Sequence, residues 1–140
     1  MTTEYTKPLP RPINEEVSKP FWEAVRRHEL VMPRCKNCAN LYFYPRELCP
    51  ICLADASETE WVPVSGKGRV FSYTIVYQAA NPAFQADTPY VWAIIQLDEG
   101  TRIPANLVEC PIVDAVIDLR VEAVYEDVTP EHTLLRFRPV

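Results

Sequence analysis

The chain has 140 residues and a mass of 16.1 kDa, the size of one domain or two very small ones. Hydrophobic residues make up 48% and charged residues 24%, close to the globular average, so the chain is expected to fold. Its net charge of -5 argues against nucleic-acid and anionic-membrane partners, because such surfaces are bound through an excess of Lys and Arg.

Residues 1–30 are predicted to form an extended arm followed by a short amphipathic helix. Pro8, Pro10 and Pro12 alternate with other residues in the arm, and each proline favours extended backbone in the residue before it. Two arrangements remain open at this point: the arm moves freely in solvent, or it lies along another surface.

The helix is predicted between residues 14 and 30. Asn14 or Ser18 is suited to cap it, and Pro20 to occupy its first turn. Phe21 and Trp22 lie at its centre and need an apolar cover. We expect this pair to bind a partner protein; the alternative is that it fills the gap between the two domains that follow.

Residues 31–64 contain two C-x-x-C pairs, Cys35 with Cys38 and Cys49 with Cys52, separated by ten residues. A segment of about 30 residues has too little core to fold alone and usually needs a metal. Zinc accepts four thiolates as a closed tetrahedron with no position open for a substrate. We therefore predict a zinc ribbon with one structural Zn²⁺ per chain. A rubredoxin-like iron site and a pair of redox dithiols remain alternatives.

Residues 65–140 are rich in Val, Ile, Phe and Tyr between turn residues, and they predict a small five-stranded β-barrel. Phe71, Tyr73 and Tyr77 alternate on the first strand, where they either stack on a flat ligand or fill the core. The five strands are predicted at Arg69–Tyr77, Tyr90–Leu97, Arg102–Val108, Leu119–Tyr125 and Thr133–Phe137.

No catalytic residue is predicted. Cys110 is the thiol outside the two pairs, but His28 and His132 lie in other segments and the neighbouring acids would raise its pKa. A serine nucleophile elbow and a zinc-protease H-E-x-x-H motif are both missing from the sequence. A coenzyme A ester would need only a few cations, and Arg46, Lys67 and Arg69 are the candidates.

The order of these features resembles the acyl-CoA-associated proteins that join a rubredoxin-like zinc ribbon to an OB-fold, a family long catalogued as a domain of unknown function. Ala39 departs from its usual Gly after the first C-x-x-C, and Ile117-Asp-Leu119 from its common Ile-Gly-Met. The resemblance rests on Lys19-Pro-Phe-Trp22, Pro33-Arg-Cys35-x-x-Cys38, Tyr44-Pro-Arg46, Cys49-Pro-x-Cys52, Trp61, Gly66-x-Gly68-x-Val70 and Leu97-x-Glu-Gly100-x-Arg102.

The resemblance implies a mainly β fold with an N-terminal helix, a four-cysteine zinc ribbon and a five-stranded OB-fold barrel. It also implies a non-catalytic accessory subunit of a coenzyme A-dependent enzyme, above all a degradative thiolase similar to benzoylsuccinyl-CoA thiolase. The partner would be a larger thiolase-like or hydratase-like subunit, and the complex would hold the acyl-CoA. Partners of MaoC-type hydratases or of retro-aldolases of sterol side chains, and a nucleic-acid-binding OB module, are the alternatives.

The sequence also predicts a cytoplasmic protein without a membrane partner. No apolar run approaches the roughly 20 residues that span a bilayer, and no basic segment followed by an apolar core opens the chain. In that setting the five cysteines are expected to be thiols or metal ligands rather than disulfides.

Overall fold

The structure, a computed structural model, describes residues 5–11 and 15–140. Within these residues it is mainly β, with an N-terminal helix, a two-stranded ribbon and a closed five-stranded barrel. The predicted fold class is confirmed. The elements are α1 (Glu15–Arg26), β1 (Val31–Cys35), β2 (Thr59–Pro63), β3 (Lys67–Val76), β4 (Tyr90–Leu97), β5 (Arg102–Leu107), β6 (Arg120–Thr129) and β7 (His132–Pro139).

The barrel has the strand order β3-β4-β5-β7-β6. Its neighbouring strands pair antiparallel, except that β5 meets β7 in parallel at Leu107 and Phe137. Gly68 is required where β3 and β4 approach each other, because a Cβ there would lie 2.4 Å from the carbonyl oxygen of Gln96. The inward-facing side chains form the core, which includes Val70, Val91, Ile95, Leu97, Ile103, Val121 and Phe137.

Helix α1 packs on β1, β6 and β7. The helix begins at Glu15, so it starts before the position expected if Pro20 were in its first turn. Ser18 is already part of its buried face. Pro20 therefore lies inside the helix and Ser18 is not a cap; the predicted cap Asn14 lies outside the described residues. His28, at φ 60°, ends the helix in a Schellman motif.

The ribbon is formed by β1 and β2, which pair antiparallel from Val31 opposite Pro63 to Cys35 opposite Thr59. The two C-x-x-C turns lie at the end of this pair, after β1 and before the short 3₁₀ helix Ala56–Glu58 that leads into β2. In the part of the chain that is described, no helix combines the length and the apolar character needed to cross a bilayer.

Candidate metal centre

Four cysteine sulfurs come together at the end of the ribbon. The Sγ atoms of Cys35, Cys38, Cys49 and Cys52 all lie within 4.8 Å of one another, with 3.6 Å between Cys35 and Cys52 and 3.5 Å between Cys38 and Cys49. A tetrahedron with Zn–S bonds of about 2.3 Å has sulfurs about 3.8 Å apart. The four residues therefore have the donor type, number and spacing that zinc requires.

The two cysteine turns, here called knuckle 1 (residues 35–40) and knuckle 2 (residues 49–54), have the same backbone design. The amide of Ala39 donates to the carbonyl of Cys35 at 2.7 Å, and the amide of Leu53 donates to that of Cys49 at 3.0 Å. Ala39 and Leu53 follow the second cysteine of each turn with φ of 61° and 64°. This left-handed backbone explains why a Gly is usual at the Ala39 position, since a Cβ is strained there.

Hydrogen bonds to two of the four sulfurs, those of Cys49 and Cys52, favour the thiolate form that a metal needs. The Asn37 amide donates to Cys52 Sγ at 3.4 Å, and the Ile51 backbone N–H donates to Cys49 Sγ at 3.4 Å. A hydrogen bond from the Cys52 backbone lowers the pKa of Cys49 to about 6, helped by the Ile51 hydrogen bond and opposed by desolvation. Asn37 lies between the cysteines of knuckle 1, a position that the C-x-x-C pattern leaves open.

The predicted coenzyme A contacts do not cluster. Arg46 is exposed and lines a groove of about 1270 Å³. Lys67 and Arg69 lie on β3 and are not part of that groove. Arg69 forms an ion pair with Asp118, which occupies part of its charge.

The groove runs between the arm, α1, β4, β5 and β7, and Tyr5 and residues 7–11 of the arm line it. An ion pair between Lys7 and Asp87 ties the arm to the loop between β3 and β4. Of the two arrangements that the sequence left open, the described part of the arm thus lies along a surface. Arg136 also lines the groove, and it donates hydrogen bonds to Glu126 and to the Asn106 side chain.

Phe21 and Trp22 differ in their surroundings. Phe21 is 3% exposed and belongs to the core, with its ring centroid 5.3 Å from that of Phe43 in the ribbon. Phe21 therefore occupies the place described by the alternative, in which it fills the gap between the two domains, and its contact with a partner stays a prediction. Trp22 is partly buried and lines the groove; contact with a partner stays a prediction.

Three aromatic side chains on β3 or directly after it are exposed rather than buried in the core. Phe71 is 38%, Tyr73 36% and Tyr77 66% exposed, and the guanidinium of Arg102 lies 3.6 Å from the Phe71 ring centroid. A β-bulge between Val70 and Ser72 interrupts the alternation of the strand at this point. Trp92 of β4, which pairs with Thr74 and is 41% exposed, is a further exposed ring that the sequence analysis did not single out.

Cys110 lacks the surroundings of a nucleophile. Desolvation raises its pKa, and the nearby carboxylate of Asp114 raises it further. His28 binds Asp127 and His132 binds Thr129, so both histidines are engaged by other groups.

The second departure from the family pattern is also accommodated by the backbone. Asp118 has a φ of 69°, the left-handed region that a Gly would adopt at least cost, and Asp tolerates it better than most residues. Its carboxylate pairs with Arg69, and its amide donates to the carbonyl of Val70 at 2.9 Å. The turn before β6 therefore forms without glycine.

Two family models match the chain. The model of the ChsH2 rubredoxin-like zinc ribbon domain covers residues 22–58, and that of the ChsH2 C-terminal OB-fold domain covers residues 61–126. A chain of the solved Ltp2–ChsH2(DUF35) aldolase superposes with a TM-score of 0.79 at 34% identity, over 92% of this chain and 98% of that one.

Curated relatives carry related descriptions. A DUF35 domain-containing scaffold protein of Methanocaldococcus jannaschii is 43% identical over 74% of this chain and 73% of its own length. A probable enoyl-CoA hydratase alpha subunit of Thermomonospora curvata is 37% identical over 93% of this chain and 40% of its own length. The benzoylsuccinyl-CoA thiolase subunit BbsA of Geobacter metallireducens is 36% identical over 53% of this chain and 47% of its own length.

Proposed function

Because the chain belongs to the DUF35 family, which joins a ChsH2-type zinc ribbon to an OB-fold, we propose that it is a non-catalytic accessory subunit of a coenzyme A-dependent enzyme. The observation that carries this proposal is the likeness over almost the whole chain to a component of an aldolase assembly. Related sequences are described as a scaffold protein and as subunits of a thiolase and a hydratase. Assembly with a larger subunit is the role these descriptions share.

A degradative thiolase is the partner we propose, supported by the likeness to the thiolase subunit BbsA. A hydratase or an aldolase is the second candidate, favoured by the matches that span 93% and 92% of this chain. A nucleic-acid-binding OB module is disfavoured by the net charge of -5. We also propose that the protein acts in the cytoplasm.

In the proposed complex the groove would hold part of the acyl-CoA. Its walls include the aromatic rings of Trp22, Trp92 and Phe84, which suit an acyl chain or a flat ring. Arg46 lies at this groove and would supply a cation for a phosphate. Lys67 and Arg69, on another part of the barrel, stay untested predictions.

The four-cysteine cluster would hold one structural zinc ion per chain. Its closed set of sulfurs suits a structural site, in which the metal supplies folding free energy by tying knuckle 1 to knuckle 2. Elemental analysis of the purified protein is expected to give one zinc per chain. Cys49→Ser should lose the metal and unfold the ribbon, whereas the matched variant Cys110→Ser should keep both. Iron in the elemental analysis, or an unchanged metal content in Cys49→Ser, would contradict the assignment.

The predicted domain division, residues 1–30, 31–64 and 65–140, stays a proposal. The two family models meet between residues 58 and 61, where the 3₁₀ helix Ala56–Glu58 leads into β2, close to the proposed boundary. Limited proteolysis of the zinc-loaded protein tests it, since cuts are expected near residues 30 and 64. A stable fragment that ends inside β4 or β5 would refute the division.

Purification of the tagged chain from its native host, with mass spectrometry of what remains bound, tests the function. We expect a thiolase-like, hydratase-like or aldolase-like protein at a fixed ratio. The isolated chain should show no turnover of acyl-CoA esters, and activity should appear when the two proteins are combined. Turnover by the chain alone, or a fixed complex with a protein that does not use coenzyme A, would overturn the proposal.

A further inference from the structure

A side-chain hydrogen bond runs from one cysteine turn to a sulfur of the other. The amide of Asn37, in knuckle 1, donates to Sγ of Cys52, in knuckle 2, at 3.4 Å. Cys49 receives its hydrogen bond from the Ile51 backbone N–H of its own knuckle. The bond to Cys52 differs in kind, because it depends on a side chain and can be removed by substitution while the backbone stays the same.

The two knuckles are not equivalent at this position. Asn37 is the second residue after Cys35, and Ile51 is the second residue after Cys49, so the two residues correspond. An isoleucine side chain has no hydrogen-bond donor, whereas an asparagine amide has two N–H groups. Of this corresponding pair, Asn37 alone can reach a sulfur of the other knuckle through a side-chain hydrogen bond.

The sulfur that Asn37 contacts belongs to the less buried ligand of knuckle 2. Cys35 and Cys49 are each 2% exposed, whereas Cys52 is half-buried. Four thiolates carry more negative charge than one Zn²⁺ neutralises, and an N–H group directed at a thiolate offsets part of the excess. Hydrogen bonds to an ionised acceptor are also stronger than those between neutral groups. Asn37 therefore acts on a ligand that solvent can reach.

We propose that Asn37 is a positioning residue of the zinc centre, which holds Cys52 Sγ where metal binding requires it and thereby raises the affinity for zinc. This inference rests on the zinc ion proposed above and not on a partner enzyme. Removal of a group that hydrogen-bonds to a metal ligand typically lowers metal affinity by about 10- to 100-fold. Because the Asn37 side chain is exposed, water competes for its amide, and we expect the lower end, about tenfold.

Two substitutions of Asn37 separate its donor from its shape. Asn37→Ala removes the amide, and Asn37→Asp keeps the shape but puts an acceptor in place of the N–H donor. Competition with a chromophoric chelator should show zinc affinity about tenfold lower for Asn37→Ala, and at least as low for Asn37→Asp. A loss in Asn37→Asp alone would be an effect of charge, and a loss in Asn37→Ala alone an effect of shape. Either result would overturn the proposal.

Asn40→Ala is the matched control, because it removes the other asparagine side chain of knuckle 1. Among residues 5–11 and 15–140, the Asn40 side chain donates to none of the four sulfurs, so this variant should keep the affinity of the parent. An equal loss in Asn40→Ala and Asn37→Ala would overturn the proposal. A parent protein that binds no zinc would overturn the zinc assignment as well, whereas unchanged affinity in Asn37→Ala overturns the role of Asn37 alone.

The cobalt-loaded protein shows whether the effect acts on a thiolate. Its sulfur-to-cobalt charge-transfer bands should move to lower energy in Asn37→Ala and stay unchanged in Asn40→Ala. The reason is that a thiolate gives up an electron more readily when it has lost a hydrogen bond. Unchanged bands in Asn37→Ala would overturn the proposal.

Alkylation by iodoacetamide, resolved by mass spectrometry, assigns the effect to one sulfur. In the zinc-loaded Asn37→Ala protein, Cys52 should react faster than in the parent, because its thiolate has lost the hydrogen bond that reduces its nucleophilicity. Cys35, Cys38 and Cys49 should react at the rates of the parent. A uniform increase at all four cysteines would mean that the ribbon has only loosened, and would overturn the proposal.

Discussion

Phe21→Ala tests whether α1 connects the ribbon to the barrel. Phe21 is 3% exposed and belongs to the core, and full truncation of a buried Phe costs about 3 to 5 kcal/mol of unfolding free energy. Because α1 is a single 12-residue helix on one side of the core, it can shift to fill part of the cavity, which favours the lower end. Ala also returns about 0.5 kcal/mol through its higher helix propensity. We expect a net loss of about 3 kcal/mol.

Trp22→Ala is the matched control in the same helix. Trp22 is only partly buried and faces the groove, so its truncation should cost about 1 to 2 kcal/mol. Urea unfolding followed by circular dichroism gives both values, and the zinc content of each variant shows whether the ribbon remains intact. The change in midpoint should come without a change in slope if both variants unfold in two states.

A loss below about 1 kcal/mol for Phe21→Ala, or a larger loss for Trp22→Ala, would refute this account of the interface between ribbon and barrel. The same pair of proteins also tests partner contact. If Trp22→Ala keeps its zinc and most of its stability but no longer binds the larger subunit, Trp22 contributes to the interface. If it binds normally, Trp22 only packs against the core.

Three further substitutions test packing and electrostatics. Gly68→Ala puts a Cβ 2.4 Å from a carbonyl oxygen of β4, so urea titration should show a loss of about 2 to 3 kcal/mol. Tyr42→Phe removes a buried hydroxyl that has no hydrogen-bond partner among residues 5–11 and 15–140, and it should raise the thermal midpoint, with about 1 kcal/mol of added stability. Asp127→Asn should flatten the acid side of the stability curve. Hydrogen bonds from Thr133 and His28 lower the pKa of Asp127. The stabilisation that this carboxylate provides is therefore lost as the pH falls through the lowered value.

Each of these substitutions has an outcome that contradicts its reasoning. An unchanged urea midpoint for Gly68→Ala would mean that β3 and β4 separate at little cost. A lower thermal midpoint for Tyr42→Phe would mean that its hydroxyl has a partner, such as a bound water. Parallel stability curves for Asp127→Asn and the parent between about pH 5 and pH 2 would mean that the carboxylate contributes nothing to the folded state.

The sequence predicts those features of the fold that depend on residues close to one another along the chain. The strand Tyr90–Leu97 is predicted with its observed bounds, because alternating apolar residues end there at a turn with glycine. Strand β6 extends to Thr129, beyond the predicted Tyr125, because its polar end continues to pair with β7. Polarity alone gives no sign of that pairing, which depends on a partner strand elsewhere in the chain.

The outer face of the barrel was harder to predict for a different reason. Alternation places Phe71 and Tyr73 on one face but does not say which face is buried. Val70 of the same strand is buried, so Phe71, the residue after it, lies outside the core, and the bulge between Val70 and Ser72 breaks the alternation beyond that point. The four cysteines, by contrast, were recognisable because metal chemistry fixes their number and spacing.

A positive φ strains the backbone of a residue other than glycine, and the residues that adopt one here differ in whether contacts inside the chain offset that strain. At Asp118 the carboxylate pairs with Arg69, and at His28 the ring stacks 5.2 Å from that of Tyr125. In both cases the side chain gains contacts inside the chain that oppose the cost of a left-handed backbone. Leu53 has the same backbone and remains 68% exposed, so its side chain offsets little of this cost within the chain. Ala39 of knuckle 1 shares this backbone and is also exposed, so both knuckles adopt it without glycine and without packing of the side chain.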